Sequence, residues 1–269
     1  MNPTMATPPS ASIRSIGVLG PGLADWPACA AILSGETAWA PAKTVLAAPD
    51  LLPPAERRRA VRVVKLALTV GLEATRAAGV DPAELATVFS SSGGDGVNCH
   101  QICETLASDD RQISPTRFHN SVHNAAAGYW SIATGATASA AVLCAYDGSF
   151  AAGLLEAITQ VAVDRAPCLL IAYDADYPEP LRAKRPVPDA FGVALLLTPE
   201  TDGRAIGRIS AQLTDGSADS LADPALDELR RAIPAARSLP LLAAIARDRS
   251  GRVVLDYLDH ARLAVDFCA

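Results

Sequence analysis

The residues of this chain best suited to chemistry lie within 114–156. That stretch holds a thiol, Cys144, a carboxylate, Asp147, and two imidazoles, His119 and His123. A thiol can take up an acyl group as a thioester, and imidazole carries protons near neutral pH. Around them the sequence reads as a loop bearing both histidines, a small-residue helix over 124–133, a short strand over 138–143, a sharp turn through Asp147 and Gly148, and a second helix. Strand, tight turn and helix make an elbow. Such a turn lifts one side chain to the end of a sheet and aims the free N–H groups of the next helix at it, which suits acyl transfer.

The elements that must hold this elbow follow an α/β pattern. Residues 13–19 read as a strand, followed by Gly20-Pro21-Gly22 and a helix over 25–33; no further glycine opens that helix, so the glycines mark a tight turn and not a dinucleotide site. Over 56–78, Val61, Val64, Leu68, Leu72 and Thr75 form one apolar stripe, with Gly79 as the stop, which predicts a single amphipathic helix. Residues 86–90 predict a strand running into Ser90-Ser91-Ser92-Gly93-Gly94-Asp95-Gly96; no Lys-Ser/Thr follows the last glycine, so this is not a phosphate loop. The helix over 149–163 is apolar around much of its circumference and should be buried, with Asp147 or Ser149 as its cap. Residues 168–173 and 191–197 are continuous apolar runs of strand length, the mark of strands covered on both faces. A Pro-rich loop over 174–189 separates them. A strand over 205–213, helices within 223–246 and a hairpin pairing 252–257 with 262–267 finish the chain.

Composition removes several classes of function. With 269 residues, half of them hydrophobic, the chain can bury one sizeable core. A net charge of −6, with no basic run beyond Arg57-Arg58-Arg59, argues against nucleic acid as a partner. No apolar segment suggests a signal peptide or a membrane span, so a cytoplasmic protein is expected. Six scattered cysteines read as free thiols; Cys99, His100 and Cys103 are the one cluster with a hint of metal spacing, but a zinc site lacks its second pair, and no metal is expected. Residues 1–11, rich in Pro, Ser, Thr and Ala, are expected to be a disordered leader, 12–200 the main domain, and 201–269 an extension completing the same domain.

The order of these features resembles the N-terminal half of the β-ketoacyl synthases, the condensing enzymes of the thiolase fold. The resemblance rests on Ser-Pro-Thr-Arg-Phe at 114–118, Asn124-x-Ala126-Ala127-Gly128, Ser131-Ile132, then a strand, Cys144-Ala145-x-x-Gly148, a helix and the apolar strand over 168–173. More narrowly, 118–132 and 146–157 are similar to the short ketosynthase-like proteins called chain length factors of bacterial aryl-polyene pathways. The resemblance implies a thiolase-like α/β fold, one half of a ketosynthase in a layered α/β/α arrangement with a short C-terminal helix-hairpin extension. It also implies a heterodimer with a full-length ketosynthase, transient contact with acyl carrier protein, and no cofactor.

In that family the nucleophilic cysteine stands three residues before the elbow glycine. Matching Gly148 to that glycine puts Ala145 at the nucleophile position and Cys144 one residue early. Consecutive side chains of an extended segment point to opposite sides, so Cys144 is out of phase. It reads either as a nucleophile rescued by a local shift or as a small buried apolar residue. The family's histidine motifs, of the H-G-T-G-T and N-S-F-G-F-G-G type, do not occur here, and His119 and His123 do not inherit their role. The expectation is therefore a non-catalytic subunit. Thr116, Arg117, Phe118 and His119 match the segment that crosses the ketosynthase dimer and lines the neighbouring acyl channel. Arg117 and Phe118 are the candidate gate, with a plain surface loop as the other reading. Asn124, Gly128 and the alanines between them suit close approach of another helix at a dimer axis. Arg57 to Arg59 read as a docking patch for an acidic carrier protein or as a solvated helix face. Two rival functions stay open: an acyl-thioester transferase or condensing enzyme using Cys144, and a homodimeric thiolase-like binding module.

Overall fold

In the computed structural model, residues 7–199 and 203–269 are described. The elements run β1 (Ser10–Leu19), α1 (Trp26–Ser34), α2 (Pro54–Arg59), α3 (Arg62–Ala78), β2 (Ala86–Ser90), α4 (Gly96–Ala107), α5 (Pro115–His119), α6 (Ala125–Thr134) and β3 (Ala140–Leu143). They continue with α7 (Ser149–Asp164), β4 (Cys168–Asp174), β5 (Phe191–Thr198), β6 (Gly207–Thr214), α8 (Pro224–Ala232), α9 (Leu239–Ala246), β7 (Gly251–Leu258) and β8 (Ala261–Cys268). The strands form one eight-stranded sheet in the order β3-β2-β4-β5-β1-β6-β8-β7. β2 runs parallel to β3 and β4, and the other pairings are antiparallel.

Strand alternation divides the interior into two cores. On β4, Cys168, Leu170 and Ala172 join α1, α7, α8 and α9 on one face, whereas Leu169, Ile171 and Tyr173 join α3 and α6 on the other. This is why 168–173 and 191–197 read as unbroken apolar runs: both faces of β4 and β5 are covered by helices. A bulge between Ile13 and Ser15 lets Ile13 and Ile16, three residues apart, share the α7 face. The molecule is thus a three-layered α/β/α sandwich, with α7 and α3 as the central helices of its two outer layers.

Several boundaries differ from the sequence expectation. β1 starts at Ser10 and Ala11 is fully buried, so the end of the expected leader belongs to the sheet; residues 1–6 lie outside the described residues. Pairing with β6 at Ser10–Ser210 and Ala11–Ile209 supplies the order that Pro- and Ser-rich composition does not suggest. The helix expected over 56–78 is broken into α2 and α3 at Ala60, which is extended at φ −64° and ψ 115°. One tertiary hydrogen bond meets the break, with Asn120 Nδ2 donating to the Arg59 carbonyl at 3.0 Å, and Arg57 donates locally to the Asp50 and Leu52 carbonyls. The loop expected over 114–124 contains the helical turn α5, with Pro115 at its first position. Neither Asp147 nor Ser149 caps α7 with its side chain, because both are engaged elsewhere.

Candidate functional site at the elbow

The elbow joins the short edge strand β3 to α7. Ala145 ends the extended segment at φ −136° and ψ 42°, Tyr146 takes the left-handed region at φ +49°, and a tight helical turn over Tyr146–Gly148 leads into α7. A non-glycine residue at positive φ is uncommon and strained, and it persists where its surroundings over-determine it. They do so here. The Arg185 guanidinium lies 3.9 Å over the Tyr146 ring, and Asp147 is held between Arg185 at 2.5 Å and Arg237 at 3.0 Å. Gly148 faces the end of β7, where a Cβ would fall 2.1 Å from the Tyr257 carbonyl oxygen. Only glycine allows the C-terminal hairpin to close on the elbow.

Between the elbow and that hairpin lies an open cleft of about 510 Å³. Ala145, Tyr146, Asp147 and Gly148 form one wall, and Arg237, Tyr257, His260 and Arg262 contribute to the other. Ala145, the nucleophile position expected from the sequence, carries only a methyl group. Its N–H, which an oxyanion would need, donates to Ser149 Oγ at 3.0 Å, while Ser149 Oγ donates to the Tyr146 carbonyl at 2.6 Å. Ser149 therefore ties the elbow to itself.

Cys144 is exposed, which corrects the reading of a buried apolar residue; the strand ends at Leu143, before the cysteine reaches the core under α7. Its thiol donates to the Ser92 carbonyl at 3.3 Å, and His123 Nε2 lies 3.1 Å from the Ser91 carbonyl. The Gly-rich loop thus brings Cys144 and His123 to consecutive peptide groups. Behind it sits Asp174, buried at the end of β4, accepting from the Ser92 N–H at 2.8 Å and the Ala235 N–H at 2.9 Å. Burial pushes its carboxyl up to about 6, against the hydrogen bonds from Ser92 and Ala235 and the charge of Arg185, which lower it. The loop's glycines have a packing role: a Cβ at Gly96 would fall 1.9 Å from Tyr177 Cδ1.

The other expected positions gather away from the cleft, and none of residues 116–128 lines it. Thr116 and Arg117 are half-buried, with the Arg117 carbonyl held by Asn98 Nδ2 at 2.9 Å; Phe118 is 68% exposed, and His119 sets its ring edge-on to Tyr129. Asn124 and Gly128 are exposed on one side of α6, and a Cβ at Gly128 would meet nothing within 4 Å. Of the three arginines at 57–59, Arg57 pairs with Asp50 and Arg59 with Glu56, both on the surface.

Sequence reasoning missed Arg185, Arg237 and His260 at the elbow, which come from three segments far apart in the chain. Asp174 left a trace, a carboxylate at the end of an apolar run. Among the described residues no group of three or more His, Cys, Asp or Glu side chains is placed to hold a metal ion, and no helix is long and apolar enough to cross a membrane.

Parallel pairing of β3, β2 and β4 sets the strand, elbow and helix at one edge of a sheet that is otherwise antiparallel. The chain belongs to the family described as β-ketoacyl synthase, N-terminal domain, whose model matches residues 26–254. Among solved structures it is similar to a chain of the ketosynthase ApeO in complex with its chain length factor ApeC from Xenorhabdus doucetiae, at 25% identity and a TM-score of 0.72 over 96% of this chain and 99% of that one. It shares its fold with a chain of the ishigamide ketosynthase/chain length factor, at 13% identity and TM-score 0.70 over 96% and 99% of the two chains. The fold also recurs in a type II polyketide synthase acyl-carrier protein complex with its ketosynthase bound to the hexaketide, at 10% identity and TM-score 0.74 over 98% and 100%. Among curated proteins none matches.

Proposed function

We propose that this chain is a non-catalytic chain length factor: a cytoplasmic subunit that pairs with a full-length β-ketoacyl synthase in a type II fatty-acid or polyketide-like pathway, of the aryl-polyene kind, and shapes the acyl channel. The observation that carries this reading is Ala145, a methyl group at the nucleophile position of an otherwise intact elbow, with its N–H already given to Ser149. Acyl transfer needs both a nucleophile and free donors for the oxyanion. Similarity to ketosynthase and chain length factor complexes, end to end along chains of nearly this length, supports a subunit role.

The two ends of the sheet support pairing through one of them. At the β7 edge, Val254 exchanges hydrogen bonds with Asp219, donating to its carboxylate and accepting from its N–H, so the middle of that edge is covered. β3 ends the sheet on the other side, and with the Ser139 and Leu143 carbonyls bonded to β2, alternation leaves the backbone of Ala140 and Val142 facing outward. Phe118, Val122 and Ile132, on the α5–α6 segment that precedes β3, are all exposed, as is Gly128. A ketosynthase seated there would cover both the edge and this apolar face, with Arg117 and Phe118 at its channel and acyl carrier protein as a transient third party.

A second reading, an acyl transferase using Cys144, is favoured by the exposure of that thiol. Intact-protein mass after incubation with an acyl-loaded carrier protein, run beside Cys144→Ala, separates the two. The subunit reading expects no adduct on this chain and an adduct on a co-purifying ketosynthase. An adduct on this chain that disappears in Cys144→Ala would establish the second reading instead.

A further inference from the structure

Three exposed thiols lie outside the elbow, Cys99, Cys103 and Cys268, and the first two share one helix. Cys99 and Cys103 lie one turn apart on α4, both exposed. Residues four apart on a helix share one face, with Cβ atoms ~5–6 Å apart. A disulfide needs its Cβ atoms at roughly 3.5–4.5 Å, so this pair cannot oxidise to an internal disulfide while α4 stays helical. A single atom bonded to both sulfurs fits the spacing: two metal–sulfur bonds of ~2.3 Å each hold the sulfurs up to about 4.6 Å apart, within reach of rotation about χ1.

The neighbours limit the coordination to two. His100, the adjacent imidazole, is engaged with Glu104 at 3.2 Å on the next stripe of the helix. Asp95, one turn before Cys99, accepts from the Asn98 N–H at 3.0 Å as the cap of α4. A tetrahedral zinc site is therefore not available, whereas soft thiolates held as a pair suit a thiol-seeking ion or group that accepts two ligands.

We infer that Cys99 and Cys103 form a two-thiol site on α4 for one soft, thiophilic atom, of the class of a cuprous ion or a trivalent organoarsenical. Binding is an exchange without redox change. A cuprous ion displaces both thiol protons and forms two Cu–S bonds; an arsenic(III) oxide forms two As–S bonds, its oxygen leaving as water with the two thiol protons. The site stands apart from the elbow and does not depend on the subunit role proposed above.

The test uses the full chain, phenylarsine oxide followed by native intact-mass measurement, and cuprous ion in competition with a chromogenic chelator. Both positions are exposed, so Cys99→Ser and Cys103→Ser leave the core untouched. The expected result is one adduct that consumes two thiols, lost in either serine variant and kept in Cys144→Ser. Retention of the probe should fall ~100-fold when one thiol is removed, because the second bond forms intramolecularly. Binding of neither probe, or binding that survives in either single variant, overturns the inference.

Discussion

At position 145, which the proposed function sets at the nucleophile's place, the side chain is a methyl group and the N–H is already bonded. Ala145→Cys restores a thiol without restoring the donor or a base. The variant is expected to be alkylated by iodoacetamide at that position yet to leave malonyl-carrier protein intact; measurable decarboxylation by the variant alone would show that the elbow retains catalytic power. Three residues on, Gly148→Ala drives a methyl group into the Tyr257 carbonyl. Overpacking of this kind costs ~1–3 kcal/mol, to be read as a lower urea midpoint with an unchanged slope. An unchanged midpoint would mean that the hairpin does not bear on the elbow.

Among the elements, Asp174 joins two segments that the chain order keeps apart, the Gly-rich loop after β2 and the turn that leads into α9. Its carboxyl titrates at about 6 in the folded protein against a reference of 3.8. Between those values the folded state holds a proton that the unfolded chain has released. The resulting stability is fully present below the lower value and is lost as pH rises through the upper one. Asp227 and Asp266, held below the usual carboxylate range by Arg230 and Arg252, act in the opposite sense and lose their contribution in acid. The comparison with Asp174→Asn therefore isolates the residue. Wild-type stability should fall relative to the variant by on the order of 3 kcal/mol between pH 4 and pH 8. Parallel stability curves for the two proteins would place Asp174 in a wetter setting than its hydrogen bonds suggest. The same physics limits what could be read in advance: the apolar period over 56–78 is genuine, yet Asn120, which meets the break in that helix at Ala60, lies 60 residues further on and leaves no mark in the local pattern.

At the scale of the whole molecule, one sheet edge is covered and the other is open. Ala140→Pro removes an outward-facing N–H from β3 at an exposed position, where proline is compatible with an edge strand. The isolated chain should keep its far-UV spectrum, while co-purification with a co-expressed ketosynthase should fall ~10-fold, about 1.4 kcal/mol of pairing free energy. Undiminished co-purification would move the interface off β3. A homodimer formed through the same edge, and unaffected by the ketosynthase, would favour the binding-module reading over the subunit.

The layered α/β fold was legible in the sequence because its signals are local: apolar runs at 168–173 and 191–197 for strands covered on both faces, one stripe on α3, a hairpin at the end. The elbow followed from spacing within a single strand–turn–helix unit, whereas the significance of Ala145 on it came from the resemblance to the ketosynthases. Tertiary structure alone decided what holds the elbow. Arg185 and Arg237 converge on Asp147, Tyr257 closes on Gly148 and Asp174 reaches Ala235, contacts between segments about 40 to 110 residues apart. Such contacts depend on how the sheet orders its strands, and strand order is a property of the folded chain that no local window of sequence contains.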